Sequence, residues 1–161
     1  MLGTLSKVTT ILSLCLTFCL CSMNVATAGA WGHGSFENDD ALDWTEELLV
    51  ARDIGVILIA FTAVENSSTY IDAPDASSAV AAAEVVAAML GKPSSDMPAR
   101  LKAWLETHRT SIPPELAVRA RRIIVTVQGT SSELNGLWSD SASYAAWRAT
   151  LEDLSNRLAA R

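Results

Sequence analysis

From Asp39 onward the apolar residues recur at helical spacing, and the polar stretches between them carry helix starts and stops. The pattern predicts a first helix over Asp39–Glu65. Leu42, Trp44, Leu48, Leu49 and Val50 give its opening half a mixed apolar face. Ile54–Val64 is then apolar except for Thr62. That length suits a buried core helix and is too short to span a membrane. Gly55 is placed to weaken or bend it. A buried strand over Val56–Phe61 is the alternative, because the run is rich in β-branched residues.

The second helix is expected after Asp75 and as far as Leu90, where Gly91 and Pro93 stop it. Ser77–Leu90 is almost all alanine, valine and leucine, which predicts burial nearly all round. Glu84 is the only ionisable residue in that run. A buried carboxylate must be paired or protonated, and an arginine such as Arg119 or Arg122 is the expected partner.

A third helix is expected over Pro98–His108, capped by Asp96, with Leu101, Trp104 and Leu105 on one stripe and His108 at the surface near its end. Pro113-Pro114 opens a fourth that closes at Gly129. Ser131 or Ser132 caps a short helix through Trp138. A fifth covers Ser143–Ala160, with Trp147, Leu151, Leu154 and Leu158 at helical spacing. The expected fold class is therefore all-α, about five helices around a single core, with Trp138 and Trp147 inside it.

Residues 1–28 follow a different pattern. Lys7 precedes an apolar run, Val8–Met23, and Val25-Ala26-Thr27-Ala28 offers small residues before a cleavage site. These are the features of a secretory signal peptide. The expected organisation is a signal peptide over 1–28 and a single helical domain over 29–161, exported to the periplasm or secreted from a bacterial cell. Cys15, Cys19 and Cys21 all lie in the leading segment, so the exported domain is expected to hold no disulfide and no thiolate metal site.

The net charge is −6. The longest basic cluster is Arg119, Arg121 and Arg122, which argues against nucleic-acid binding. No membrane partner is expected after signal cleavage. An acidic surface suits a basic protein partner.

The candidate chemistry gathers at Trp31–Trp44, W-G-H-G-S-F-E-N-D-D-A-L-D-W. Gly32 and Gly34 allow positive φ or close backbone approach on either side of His33. Trp31 and Phe36 are expected to fold inward. Asn38, Asp39 and Asp40 are good N-cap residues, and Asp39, Asp40, Asp43, Glu46 and Glu47 set negative charge at the positive end of the helix dipole. Asp39, Asp40 and Asp43 share a face, which makes them weak candidates for a hard cation, although the D-x-[DN]-x-[DN]-G spacing of an EF-hand is absent.

The same stretch, as W-G-x-G-x-F-x-N-D-x-A-x-D-W, resembles the opening of a family of small bacterial domains, the domain of unknown function 4259 family. Ala81–Pro93, Ser132–Trp138 and Trp147 are similar to later parts of that family. The resemblance covers essentially the whole chain after residue 29. It implies a compact domain of about this length and brings no established activity, catalytic residue or cofactor.

Known catalytic motifs are missing. There is no G-x-x-x-x-G-K-[ST], H-E-x-x-H or G-x-S-x-G, and no cofactor is expected. The preferred reading is a non-catalytic exported module that covers a basic surface on another protein, in an inhibitor or immunity-type role. Its candidate binding residues are Trp31, His33, Asn38, Asp39, Asp40, Asp43 and Glu84. The alternative is a carboxylate- or metal-dependent enzyme at the Trp31–Asp43 opening, with Asp43 and Glu84 as its acid–base pair. A purely structural envelope component is a third.

Overall fold

The computed structural model describes residues 30–108 and 111–159. They form seven helices: α1 (Asp39–Val50), α2 (Gly55–Asn66), α3 (Ala73–Met89), α4 (Ala99–Thr107), α5 (Pro114–Val127), α6 (Glu133–Ser139) and α7 (Tyr144–Ala159). Among the described residues there is no strand, only two isolated bridges, Ala30 with Asn38 and Ile71 with Ser132. The expected signal peptide lies outside the described residues. No described helix is long and apolar enough to cross a membrane.

The all-α expectation holds, but the count rises because the first expected helix is two. Ala51 leaves the helix with ψ 150° and closes α1. The Asp53 carboxylate then accepts the Gly55 N–H at 2.7 Å. Such a local side-chain bond competes with the helical ladder, so the chain turns and restarts as α2. The strand alternative is overruled: Ile57, Phe61 and Val64 lie on one buried helical face. Burial of α2 is also one-sided, since Ile59 is 70% exposed.

The core is built on α3, against which α1, α2, α5, α6 and α7 all pack. Its residues 79–87 are buried without exception. Small side chains there let the neighbouring axes come close. Gly91 ends the helix at φ +80°, the only positive φ among the described residues. The N–H of Lys92 returns to the Ala87 carbonyl at 3.0 Å and that of Gly91 to Ala88 at 2.8 Å, which satisfies carbonyls the helix leaves open. At the other end, Glu133 of α6 accepts the Ala73 N–H at 2.8 Å. One hydrophobic cluster runs through all seven helices. As expected, Trp138 and Trp147 belong to it, stacked with ring centroids 6.0 Å apart.

Two further expectations are corrected. Asp96 does not cap α4, whose N-cap is Pro98 and makes no side-chain cap bond. His108 is half-buried, stacked on Trp104 at 4.2 Å with Nδ1 2.9 Å from the Trp104 carbonyl.

Candidate functional site

The opening motif folds as a tight loop that delivers the chain into α1. The N–H groups of Trp31 and Gly32 donate to the Glu37 carbonyl at 3.1 and 3.4 Å, and that of Glu37 to the Gly34 carbonyl at 3.1 Å. The Glu37 carboxylate turns back and accepts the Gly34 N–H at 2.8 Å. It lies so close that a Cβ on Gly32 would stand 2.1 Å from its Oε2. A Cβ on Gly34 would meet both Glu37 Oε2 and Asp96 Oδ2 at 2.9 Å. Close approach, not positive φ, therefore accounts for both glycines. Asn38 then caps α1, its Oδ1 accepting the Ala41 N–H at 2.8 Å.

The motif's aromatic residues part company. Phe36 and Trp44 enter the core, whereas Trp31 is 58% exposed, against the expectation that it folds inward. It precedes the helix, and its backbone N–H is tied to the Glu37 carbonyl. Asp39 and Asp43 are exposed on the outer face of α1, together with Glu46, Glu47, Leu42 and Val50. Glu46 pairs with Arg100 of α4.

Glu84 sits on the other side of the loop, 1% exposed. Its partner is neither Arg119 nor Arg122. Arg157 of α7 donates to its two carboxylate oxygens at 2.7 and 2.8 Å, and the Ser35 hydroxyl adds a bond at 3.1 Å. Arg157 also donates to the Lys92 carbonyl at 3.1 Å and to Asp153 at 2.7 Å. Burial opposes the Arg157 charge, but its bonds to Glu84 and Asp153 outweigh that and raise its pKa. Arg119 instead pairs with Glu65 at 2.7 Å and lies over the Phe61 ring.

Asp40 and Glu84 border different hollows. Asp40 lines a narrow cleft of about 30 Å³ whose walls include Leu137, Trp138 and Trp147. Glu84 lines a wider groove of about 790 Å³, with Glu37, Asp96, Asp153 and Arg157. His33 and Gly34 border both. His33 is exposed, and its Nδ1 is 3.4 Å from the Thr150 hydroxyl. Asp40 is half-buried, and its pKa is raised by that burial and by the charges of Asp39 and Asp43. Among the described residues no group of three or more histidines, aspartates or glutamates is placed to hold a metal ion.

The arrangement thus separates the candidates. Asp39 and Asp43 lie on the exposed face of α1, Trp31 is exposed ahead of that helix, Asp40 and His33 border a cleft, and Glu84 is locked in an ion pair. Sequence reasoning missed Ser35, Glu37, Asp96 and Arg157. For Arg157 the available signal was a cation between Leu154 and Leu158 on an otherwise apolar stripe.

The family model described as domain of unknown function (DUF4259) matches residues 29–150. No curated protein and no solved structure matches the chain.

Proposed function

Since the chain belongs to the domain of unknown function family DUF4259, which brings no reaction to start from, we propose that it is an exported, non-catalytic module that binds a basic protein. An inhibitor or immunity-type role suits it. The observation that carries this reading is Trp31, 58% exposed just ahead of α1 in the chain, together with the acidic outer face of that helix. Exposed tryptophans rimmed by polar residues are frequent anchors of protein interfaces. Leu42 and Val50, 38% and 82% exposed, extend the apolar part of that face. Asp39, Asp43, Glu46 and Glu47 supply the charge that would steer a basic partner. The tie between Glu84 and Arg157 supports binding over catalysis, because a carboxylate held by a bidentate arginine is poorly suited to shuttle protons.

The test is affinity capture from the envelope fraction of the producing cells, using protein expressed from its full coding sequence. A stoichiometric basic partner that is lost on Trp31→Ala, and lost again at raised ionic strength, would support the proposal. A partner that binds the Trp31→Ala variant equally well would sink it, and so would no partner at all.

A further inference from the structure

We propose that the cleft beside Asp40 receives the ε-ammonium group of a lysine side chain presented by the basic partner, with Asp40 as its counter-ion. This rests on the binding reading above and names the contact that would anchor it.

The first observation is that Asp40 lacks a partner. The inward-turned carboxylates nearby are all engaged: Glu37 by the Gly34 N–H, Glu84 by Arg157 and Glu133 by the Ala73 N–H. The Asp40 carboxylate makes no hydrogen bond or ion pair among the described residues, although it is half-buried. A partly desolvated charge without a counter-ion is unfavourable, so a cation brought from outside gains more there than at the exposed Asp39 or Asp43.

The second observation is the shape and lining of the cleft. Among the described residues Asp40 and His33 are its only ionisable side chains, and Leu137, Trp138, Trp147 and Leu151 make its walls apolar. A lysine matches this pairing, since its methylene stem lies along apolar surface while its charge seeks a polar end. The volume is about 30 Å³, where one water needs roughly 10–15 Å³ on the same measure. That accommodates a compact ammonium, whereas a guanidinium is a broad plane that asks for bidentate partners. A divalent metal would want several hard oxygens, and among the described residues Asp40 brings the one carboxylate that lines the cleft.

The experiment uses three small probes: Nα-acetyl-lysine methylamide, its arginine counterpart and its norleucine counterpart. Each is titrated into the protein while the indole N–H resonances of Trp138 and Trp147 are followed by NMR. The lysine probe is expected to shift both, with an affinity at least about tenfold above the other two, the equivalent of 1.4 kcal/mol. Asp40→Asn should abolish that preference while leaving the rest of the spectrum in place. Equal responses to all three probes, no response to lysine, or an undiminished response in Asp40→Asn would each overturn the anchor. The binding reading is judged separately by partner capture. If capture survives Asp40→Asn but fails in the Asp39→Asn/Asp43→Asn double variant, the partner stands and the lysine anchor falls. If the wild-type protein captures nothing while the lysine probe still binds through Asp40, the anchor stands and the protein-partner reading falls.

Discussion

Arg157 holds Glu84 by both carboxylate oxygens, at 2.7 and 2.8 Å, across 73 residues of sequence. The pair ties α7 to the middle of α3, and Ser35 and the Lys92 carbonyl join it from two loops. Removing one member of such a pair strands the other in a poorly solvated place. Arg157→Met is therefore expected to lower stability by about 3–5 kcal/mol, read as a lower midpoint in denaturant unfolding with an unchanged slope. Glu84→Gln should cost less, because the amide keeps one acceptor and leaves Arg157 near Asp153 and solvent. Equal midpoints for wild type and Arg157→Met would show that the pair contributes no net stability.

The two tryptophans that bracket the opening motif should behave in opposite ways. Trp44 is 5% exposed, so Trp44→Ala is expected to cost about 3–5 kcal/mol. Trp31→Ala should change stability by less than about 0.5 kcal/mol and act only on partner capture. Thermal unfolding of the two variants side by side gives the answer, and a large loss for Trp31→Ala would place that ring in the core after all.

Glycine substitutions separate close approach from mere flexibility. At Gly136, inside α6, a Cβ would meet nothing within 4 Å, so Gly136→Ala is expected to stabilise by roughly 0.5–1 kcal/mol through helix propensity. At Gly32 the new methyl would push the Glu37 carboxylate off the Gly34 N–H. Losing that charge-assisted bond should cost about 1 kcal/mol or more. Chemical denaturation would show shifts of opposite sign. A stabilising Gly32→Ala would mean that Glu37 can move away without loss.

Two carboxyls predict opposite pH dependences. The folded-state pKa of Asp40 is raised, so its charged form is disfavoured by folding at neutral pH. That penalty fades as pH falls through the raised pKa and is gone below the ordinary carboxylate value. Asp40→Asn should accordingly raise the unfolding midpoint at neutral pH and lose the advantage in acid. Glu65 is lowered, chiefly by its hydrogen bond to Arg119. It contributes stability above the ordinary carboxylate value and loses it as pH falls through the depressed one. Glu65→Gln should cost up to about 1 kcal/mol at neutral pH, the upper range for a solvent-screened pair, and converge with wild type in strong acid. Unfolding midpoints across a pH series check both signs.

Much of the fold was legible because its signals are local. Asn38, Pro113-Pro114 and Gly91 mark ends that depend on a few neighbouring atoms, and the apolar run around Glu84 already required a partner for that carboxylate. The identity of the partner was not legible. Arg119, Arg122 and Arg157 all sit on amphipathic helices, and only the way α7 crosses α3 selects Arg157. The break after Val50 was hidden for a similar reason, since the bond from the Gly55 N–H to the Asp53 carboxylate outweighs a periodicity that continues on paper. Trp31 lies before the first helix, where no period exists to assign it a face. Asp96 had the composition of a cap, yet α4 starts from Pro98 and the Asp96 carboxylate lies close to Gly34 of the opening loop. The cleft was invisible because it is assembled from the loop, α1, α3, α6 and α7, which meet only in the folded chain.

The reach of α7 carries a practical meaning for where this domain can be cut. The family match stops at residue 150, but Leu151, Leu154 and Leu158 are core residues and Arg157 is the counter-charge of Glu84. A fragment trimmed to the matched boundary would keep every signature residue of the opening and still lack the peg that closes the bundle. Its α3 would carry a stranded carboxylate beside an open apolar trough. A piece that keeps these contacts must therefore run to Leu158, and shorter pieces are expected to be less stable than the whole chain.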